Sequence, residues 1–520
     1  MGQDPQTSPS SRVGEIASAV INLVTHVIDN VDRLVSDVVT DSGAVARESE
    51  ALYAAVSAGA ASVSAAIRGT PRFGRVVQEL VRLVLAYRMH EVRARALSAG
   101  EARQALERLH QRSAARLLEL CVELRGGVLK VGQFVSSRMD LLPEPYVRTL
   151  SRLQDQVPAV PAEQIIARVE EELGAPLDQL FEAFDPDPLA AASLAQVHAA
   201  VLEGQPVAVK VQVPEIERTV EIDLAAMRVM AGVVQDLLLP HLDLRTVAEE
   251  LQRSVTRELD YRREARIAGE LAQNVAGQPG VIVPRVHPGR SADRVLTMDR
   301  VDGERLTDFL DGCEGAGDEA ALKRRDRVLE LLVRVTCAQI LEHGLFQGDP
   351  HPGNFLVVTA GESVSVALLD FGAVTRFSPK LRQAYAGVAA AILARDHLAV
   401  AGRLRGLGFR TRDADSSALV RFAEMMMDVF RPAPTVTLAD LDPRAAFEEA
   451  LALARANPVV VPQHFVLLGR VFAALGGLLL RYRPRLDLFV VLAPYLAPVL
   501  AGAAPGQAGA DVRTATPPRG

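Results

Sequence analysis

The chain of 520 residues contains no tryptophan, three cysteines and only 4% aromatic residues. Cys121, Cys313 and Cys337 are odd in number, far apart and in no Cys-x-x-Cys pair. That excludes a disulfide framework and a cysteine-built zinc site, and it suits a reducing cytosol. There is no excess of basic charge. Lys plus Arg total 57 against 64 for Asp plus Glu, a formal charge of -7 with no polybasic cluster, so no nucleic-acid partner is expected. The opening MGQDPQTSPSSR lacks the basic-then-apolar layout of a signal peptide, and Gln6 stands where N-myristoylation needs Ser or Thr, so neither export nor acylation is expected. Long uninterrupted apolar runs are missing too. The best two are 471–480, closed by Arg481, and 486–503, which carries Asp487, Pro494 and Pro498. A membrane span needs about 20 such residues, so buried helices are expected in both places.

What is present is a 49% hydrophobic chain long enough for more than one core, since single cores stop growing at roughly 250 to 300 residues. Residues 1–12 and 504–520 are rich in Pro, Gly, Ser, Thr and Ala without periodicity and read as disordered. Residues 13–97 read as an N-terminal helical region. Within it Val20, Val24, Val27, Val31, Leu34 and Val38 draw one apolar stripe at helical spacing. Two covers suit that stripe: the chain's own helices near residues 74–95, or a membrane surface or partner. Against anionic lipid, the opposite face carries Asp29, Asp32 and Asp37 in place of lysines. A second helical block covers 98–180, punctuated by Gly126 and Gly127, after which a new helix carries Lys130, Gly132 and Gln133. Over 181–300 short β-branched runs bounded by Pro and Gly signal strands at 206–213, 281–286 and 295–298. A further run lies at 364–369, and after Ser378 the pattern turns helical, apart from breaks near 432–434 and 458–462. The fold expected is α+β.

Several segments carry chemistry. In PVAVKVQV, residues 206–213, strand alternation sets Val207, Val209, Val211 and Val213 on one face and Ala208, Lys210 and Gln212 on the other. A mid-strand lysine is costly unless paired, although alone it reads equally as an edge-strand charge. In HGLFQGDPHPGNFLVV, Asp349 and Asn354 lie five apart in a loop kept open by Gly348, Pro350, Pro352 and Gly353, before a strand. A second apolar run ends in Asp370, Phe371 and Gly372. Phosphoryl transfer needs this set: a carboxylate near the attacking oxygen, and an Asn and an Asp whose oxygens hold Mg²⁺ against phosphates. RELDYRREA supplies Glu258, Asp260 and Glu264. On one helix the two glutamates, six residues apart, would point to different partners. A solvated charged helix is the alternative for that run.

In order, LKVGQ, AAASLAQVH, VAVKVQVP, ELDYRREA, GDPHPGN and DFG closely resemble the UbiB, or AarF-domain-containing, family of atypical kinases, from about residue 124 to 484. The resemblance implies a protein-kinase-like two-lobed fold with an N-terminal helical extension. Its small lobe would be 181–300 and its helical lobe 301–503. It also implies ATP and Mg²⁺ as cofactors. Lys210 would hold the α and β phosphates with Glu264 as partner, Asp349 would occupy the catalytic-aspartate position, and Asn354 and Asp370 would bind the metal. Ala190, Ala191, Ala192 and Ser193 would form the phosphate loop, and Ala208 would line the nucleotide site. Met298, Asp299 and Val301 would be the adenine hinge. Lys130 and Gln133 would belong to an extension folded over the site, with Lys130 near Glu258 of the Glu-x-Asp motif that ends in Asp260. An isoprenoid-quinone precursor or a lipid is the implied partner, met by a cytoplasmic protein that touches the inner face of the membrane peripherally.

Three features depart from ordinary protein kinases. The loop Ala190 to Ser193 lacks glycine, so its backbone approaches phosphates less closely. His351 stands where serine/threonine kinases place a lysine, and no Ala-Pro-Glu follows the DFG. Each weakens the case for a protein substrate. Two rivals remain: a small-molecule phosphotransferase of the aminoglycoside- or choline-kinase type, which shares the GDPHPGN-like loop but has no reason to carry LKVGQ or RELDYRREA, and a nucleotide-binding pseudokinase scaffold.

Overall fold

The computed structural model describes residues 71–136, 143–154, 159–237, 244–348, 350–411, 417–429 and 459–486, with 490, 491, 494 and 495. The Val20 to Val38 stripe, the terminal segments 1–12 and 504–520, the break at 432–434, most of 486–503, and Asp349 lie outside the described residues.

The described residues before the first strand are mostly helical. Ser98 caps the helix Ala99–Leu124 through a reciprocal box with Glu101, two otherwise orphaned N-terminal donors being satisfied at once. Arg125 and Gly126, at φ 53° and 55°, then turn the chain into the helix Gly126–Ser136. The early part of that helix lies hard against the helix Ile216–Leu237. A methyl group at Gly127 would meet Asp223 Cβ and Oδ2 at 2.7 Å, and Asp223 Oδ2 accepts from the Val128 N–H at 3.1 Å. A carboxylate from another helix thus caps this N-terminus, where the helix dipole favours negative charge.

Strands β1 (Ala183–Ala191), β2 (Ala195–Leu202), β3 (Gln205–Gln212) and β5 (Val295–Asp299) form a four-stranded sheet in that order. The two-residue turn between β2 and β3 uses Glu203 and Gly204 at φ 52° and 70°, the mirror-image turn that suits the twist of a hairpin. Along β3 the expected alternation holds as far as Val211: Val207, Val209 and Val211 are fully buried while Ala208 and Lys210 are half-buried, but Gln212 is buried too, its amide donating to the Leu259 carbonyl, and Val213, past the strand end, is only half-buried.

The chain divides into two compact units, 1–199 with 210–259, and 200–209 with 260–520. Among the described residues of the first unit two apolar clusters stand out. One joins Leu194, Val220, Leu224, Leu251 and Val255, and the other joins Ala114, Cys121, Tyr146, Leu150 and Leu153. Burial pushes the Cys121 thiol up to about 12, so it packs as a small hydrophobe. All three cysteines are free and buried.

The second unit is centred on the helices Tyr261–Val275 and Glu319–Cys337, with Leu271, Val328, Leu332, Val366, Leu368 and Phe371 in one core. A second four-stranded sheet runs in the order β4 (Val281–Ile282), β9 (Ser363–Leu368), β8 (Phe355–Ala360), β6 (Glu304–Arg305). The short strands β7 (Leu345–Gln347) and β10 (Val374–Arg376) pair antiparallel. Farther on, β11 (Arg410–Thr411) pairs with β12 (Val459–Val460), and the helix Gln463–Tyr482 follows. Its stretch His464–Tyr482 is long and apolar enough to cross a membrane by length and composition, the one such helix among the described residues. The sequence reading began this run only at Val471, after Arg470. Val471, Leu478, Leu479 and Tyr482 are buried in the unit, Arg481 and Tyr482 bond Asp311, and Phe472 on another side is 46% exposed.

RELDYRREA is not one helix. The helix Leu244–Glu258 stops, and Tyr261–Val275 begins anew with Asp260 as its cap, its carboxylate accepting from the Arg263 N–H at 2.9 Å. Asp side chains compete for backbone donors in this way, which favours a helix start over a helix interior. Glu258 and Glu264 do meet different surroundings, but because a break separates them, not because of their angle on a shared helix.

Candidate functional site

In the first unit the Lys130 helix supplies two polar contacts one turn apart. Lys130 Nζ lies 2.5 Å from Glu258 Oε2, with the two side chains 21% and 29% exposed. Gln133 Nε2 donates to the Leu153 carbonyl at 2.9 Å, while its Oε1 accepts from Ser193 Oγ at 3.2 Å. These partners fix which way the amide points. They also tether the AAAS loop to the helix. Ala190 and Ala191 are the last residues of β1, so of the four expected loop residues only Ala192 and Ser193 lie in the turn to β2; there the Ala192 N–H donates to the Ala195 carbonyl at 2.8 Å, and none of the four takes a positive φ. Lys210 lies on β3 in this unit, and Gln212 two residues on donates to the Leu259 carbonyl at 2.7 Å.

Gly132 is required by packing. A methyl group there would meet Leu153 Cδ1 at 2.5 Å and Cys121 Sγ at 2.7 Å. Gly132→Ala is therefore expected to cost about 1–3 kcal/mol, the usual penalty of an overpacked core. A urea melt that does not move would mean the contact is not close.

In the second unit the β8–β9 hairpin assembles the acidic end. Its register pairs Phe355 with Leu368, and one step further the Leu369 N–H donates to the Asn354 carbonyl at 3.0 Å. Asn354 and Asp370 thereby leave the sheet at the same end. Asp370 Oδ1 accepts from the Gly372 N–H at 3.0 Å, and the Asp370 carbonyl accepts from Gln347 Nε2 at 2.8 Å. Phe371 is fully buried and anchors the motif in the core. On the described residues flanking Asp349, the Gly348 N–H donates to the Ala373 carbonyl at 2.9 Å, and His351 Nδ1 accepts from the Gly353 N–H at 3.1 Å within a local turn.

Met298 and Asp299 close β5, with Val301 just beyond, half-buried. His287 Nε2 lies 2.7 Å from Asp299 Oδ1, and the Asp299 N–H donates to the Arg285 carbonyl. Glu264 is fully buried on the helix capped by Asp260 and belongs to the second unit, whereas Lys210 belongs to the first.

Sequence reasoning missed Gln347, His287, Arg263 and the Arg376–Glu270 pair. Arg263 Nη1 and Nη2 donate to the carbonyls of Gly372 and Val374 at 3.1 and 3.0 Å. The hydrogen bond from Arg376 holds the Glu270 carboxyl below its usual range. The signal for Arg263 was its place beside Glu264 in ELDYRREA; nothing in the spacing told which carbonyls it would reach.

Comparison with known proteins places this geometry. Residues 152–403 match the ABC1 atypical kinase-like domain. The chain is 32% identical over 401 residues to an uncharacterized chloroplastic aarF domain-containing protein kinase of Arabidopsis thaliana, covering 77% of this chain and 55% of that protein. It is 33% identical over 337 residues to AarF domain-containing protein kinase 1 of Xenopus laevis, covering 63% and 62%. The chain thus spans little more than half the length of these curated relatives. Among solved structures, Rv3197 of Mycobacterium tuberculosis, determined in complex with erythromycin, aligns with a TM-score of 0.52 at 25% identity, over 76% of this chain and 99% of that one.

Proposed function

Because the chain belongs to the ABC1, or UbiB/AarF, family of atypical kinases and has their two-lobed kinase-like α+β fold, we propose that it binds ATP with Mg²⁺ and transfers or hydrolyses the terminal phosphoryl group in the service of isoprenoid-quinone or lipid metabolism. The observation that carries the reading is the hairpin register that brings Asn354 and Asp370 out of the sheet together. An amide oxygen and a carboxylate are hard donors. They fit Mg²⁺, which takes one or two carboxylates and completes its shell with phosphates and water. When bound, Mg²⁺ would neutralise charge on the phosphates.

The chain's own groups take the remaining roles. Lys210 holds the α and β phosphates with Glu264 as partner, and Asp349 stands at the attacking oxygen. Met298, Asp299 and Val301 receive adenine beside Ala208, and Ala190 to Ser193 cover the phosphates. Lys130 and Gln133, with Glu258 and Asp260 opposite, form the regulatory extension that closes over the nucleotide. The acceptor is a lipid-soluble molecule reached by peripheral contact with the inner face of the membrane. That part rests on the family, on His351 and on the lack of an Ala-Pro-Glu segment.

The test is ADP release by the purified chain at graded Mg²⁺, with and without liposomes and isoprenoid-like headgroup compounds. Mg²⁺-dependent release that rises with liposomes is expected. Nucleotide binding without ADP release would make the protein a scaffold. Transfer to a water-soluble acceptor, indifferent to lipid, would make it a small-molecule phosphotransferase.

A further inference from the structure

Arg263 and Glu264 are neighbours on the helix Tyr261–Val275, roughly 100° apart around its axis, and only Glu264 has a part in the chemistry above. Arg263 grips the segment that follows Asp370. Its guanidinium bridges the carbonyls of Gly372 and Val374, two residues apart, at 3.1 and 3.0 Å. Seven residues along the helix, at nearly the same angle, Glu270 takes Arg376 at 2.8 and 2.6 Å. One helix face therefore holds the segment 372–376 at two points.

The rest of the segment is equally committed. The Ala373 carbonyl accepts from the Gly348 N–H at 2.9 Å, and Val374 pairs with Gln347 in the β7–β10 ladder. With the two carbonyls held by Arg263, every backbone acceptor from Gly372 to Val374 is engaged. The Gly372 N–H in turn holds Asp370 Oδ1 at 3.0 Å. Only Phe377 and Ser378 separate β10 from the helix Pro379–Leu393, so no long loop intervenes for a phosphate to order.

We propose that Arg263 is a positioning residue: by clamping the Gly372 and Val374 carbonyls it holds the Asp370 carboxylate in its metal-binding pose, so that this pose needs no phosphorylated loop. The inference rests on the reading of Asp370 as a Mg²⁺ ligand. A guanidinium suits the task because its planar fork reaches two acceptors at once, whereas an ammonium at that distance satisfies one.

The test uses the full chain and calorimetric titration of ATP at graded Mg²⁺ and in EDTA, with hydrogen exchange read at residues 372–376. Arg263→Gln, which is shorter and neutral and loses both charge-assisted hydrogen bonds, is expected to raise the Mg²⁺ concentration for half-maximal nucleotide binding at least about tenfold, the worth of one such bond alone. Affinity for metal-free ATP should stay unchanged, and exchange at 372–376 should quicken. Arg263→Lys should fall between, and Glu270→Gln, at a more exposed pair, should shift both readouts in the same direction by less. Wild-type Mg²⁺ dependence together with wild-type exchange in Arg263→Gln would overturn the proposal. Equal losses of metal-free and Mg²⁺-bound ATP affinity would overturn it too, by pointing to general loosening. If wild-type protein binds nucleotide with no Mg²⁺ dependence, the metal reading fails, and unchanged exchange in Arg263→Gln then sinks the clamp as well. Should Arg263→Gln not fold, Glu270→Gln and Arg376→Gln carry the test, and wild-type behaviour in both would overturn it.

Discussion

Asp370→Asn is expected to abolish Mg²⁺-dependent nucleotide binding in calorimetry while leaving the melting temperature nearly where it was. The substitution keeps the shape of the side chain and keeps an oxygen to accept from the Gly372 N–H, now at 3.0 Å, so the turn after β9 retains its hydrogen bond. The Asp370 carbonyl held by Gln347 and the burial of Phe371 do not depend on the side chain at all. What disappears is the negative charge. A divalent cation among phosphates loses its charged protein ligand, and a neutral amide oxygen does not replace that attraction. Asn354→Ala should weaken binding less, because a neutral ligand can be replaced by water. Wild-type ATP·Mg²⁺ binding by both variants would show that the metal sits elsewhere.

Much of the site was legible because its parts are local in sequence. The strand around Lys210 and the two apolar runs that flank Asn354 and precede Asp370 each arise within a few residues of chain, where periodicity and turn chemistry speak directly. The start of the helix after Ser378 was legible for the same reason, with a serine cap and Pro379 at the first turn. What escaped was set by distant partners. Asp260 inside a charged run looks like a solvated helical residue until its carboxylate is seen to cap a new helix. Asp223 looks like one more surface charge on the helix Ile216–Leu237, yet it is buried against Gly127 and caps another helix's N-terminus. Arg263 and Gln347 act on backbone carbonyls 109 and 23 residues away, and a carbonyl has no sequence signature.

Lys130→Ala and Glu258→Ala are each expected to change nucleotide affinity or phosphoryl transfer several-fold while the melting temperature moves little, and the double variant should resemble either single one. The pair is partly covered, its side chains 21% and 29% exposed, so it stands at the upper end of the surface-pair range, on the order of 1 kcal/mol, and only a modest part of the stability is at stake. The geometry gives the pair a different task. Glu258 is the last residue of its helix, immediately before the break capped by Asp260, and Lys130 at 2.5 Å pins that joint to the helix Gly126–Ser136. One turn along the same helix Gln133 holds Ser193 of the loop proposed to cover the phosphates. Releasing Lys130 should let the helix and the tethered Ser193 shift together, and on the proposed reading that shift should reach the nucleotide. Because both single variants break the same contact, their effects should not add, which separates a shared latch from two independent surface changes. Gln133→Ala cuts the link at its other end and should alter nucleotide affinity in the same direction as Lys130→Ala. Unaltered ATP binding and ADP release in the Lys130 and Glu258 single variants would reduce the helix Gly126–Ser136 to scaffolding.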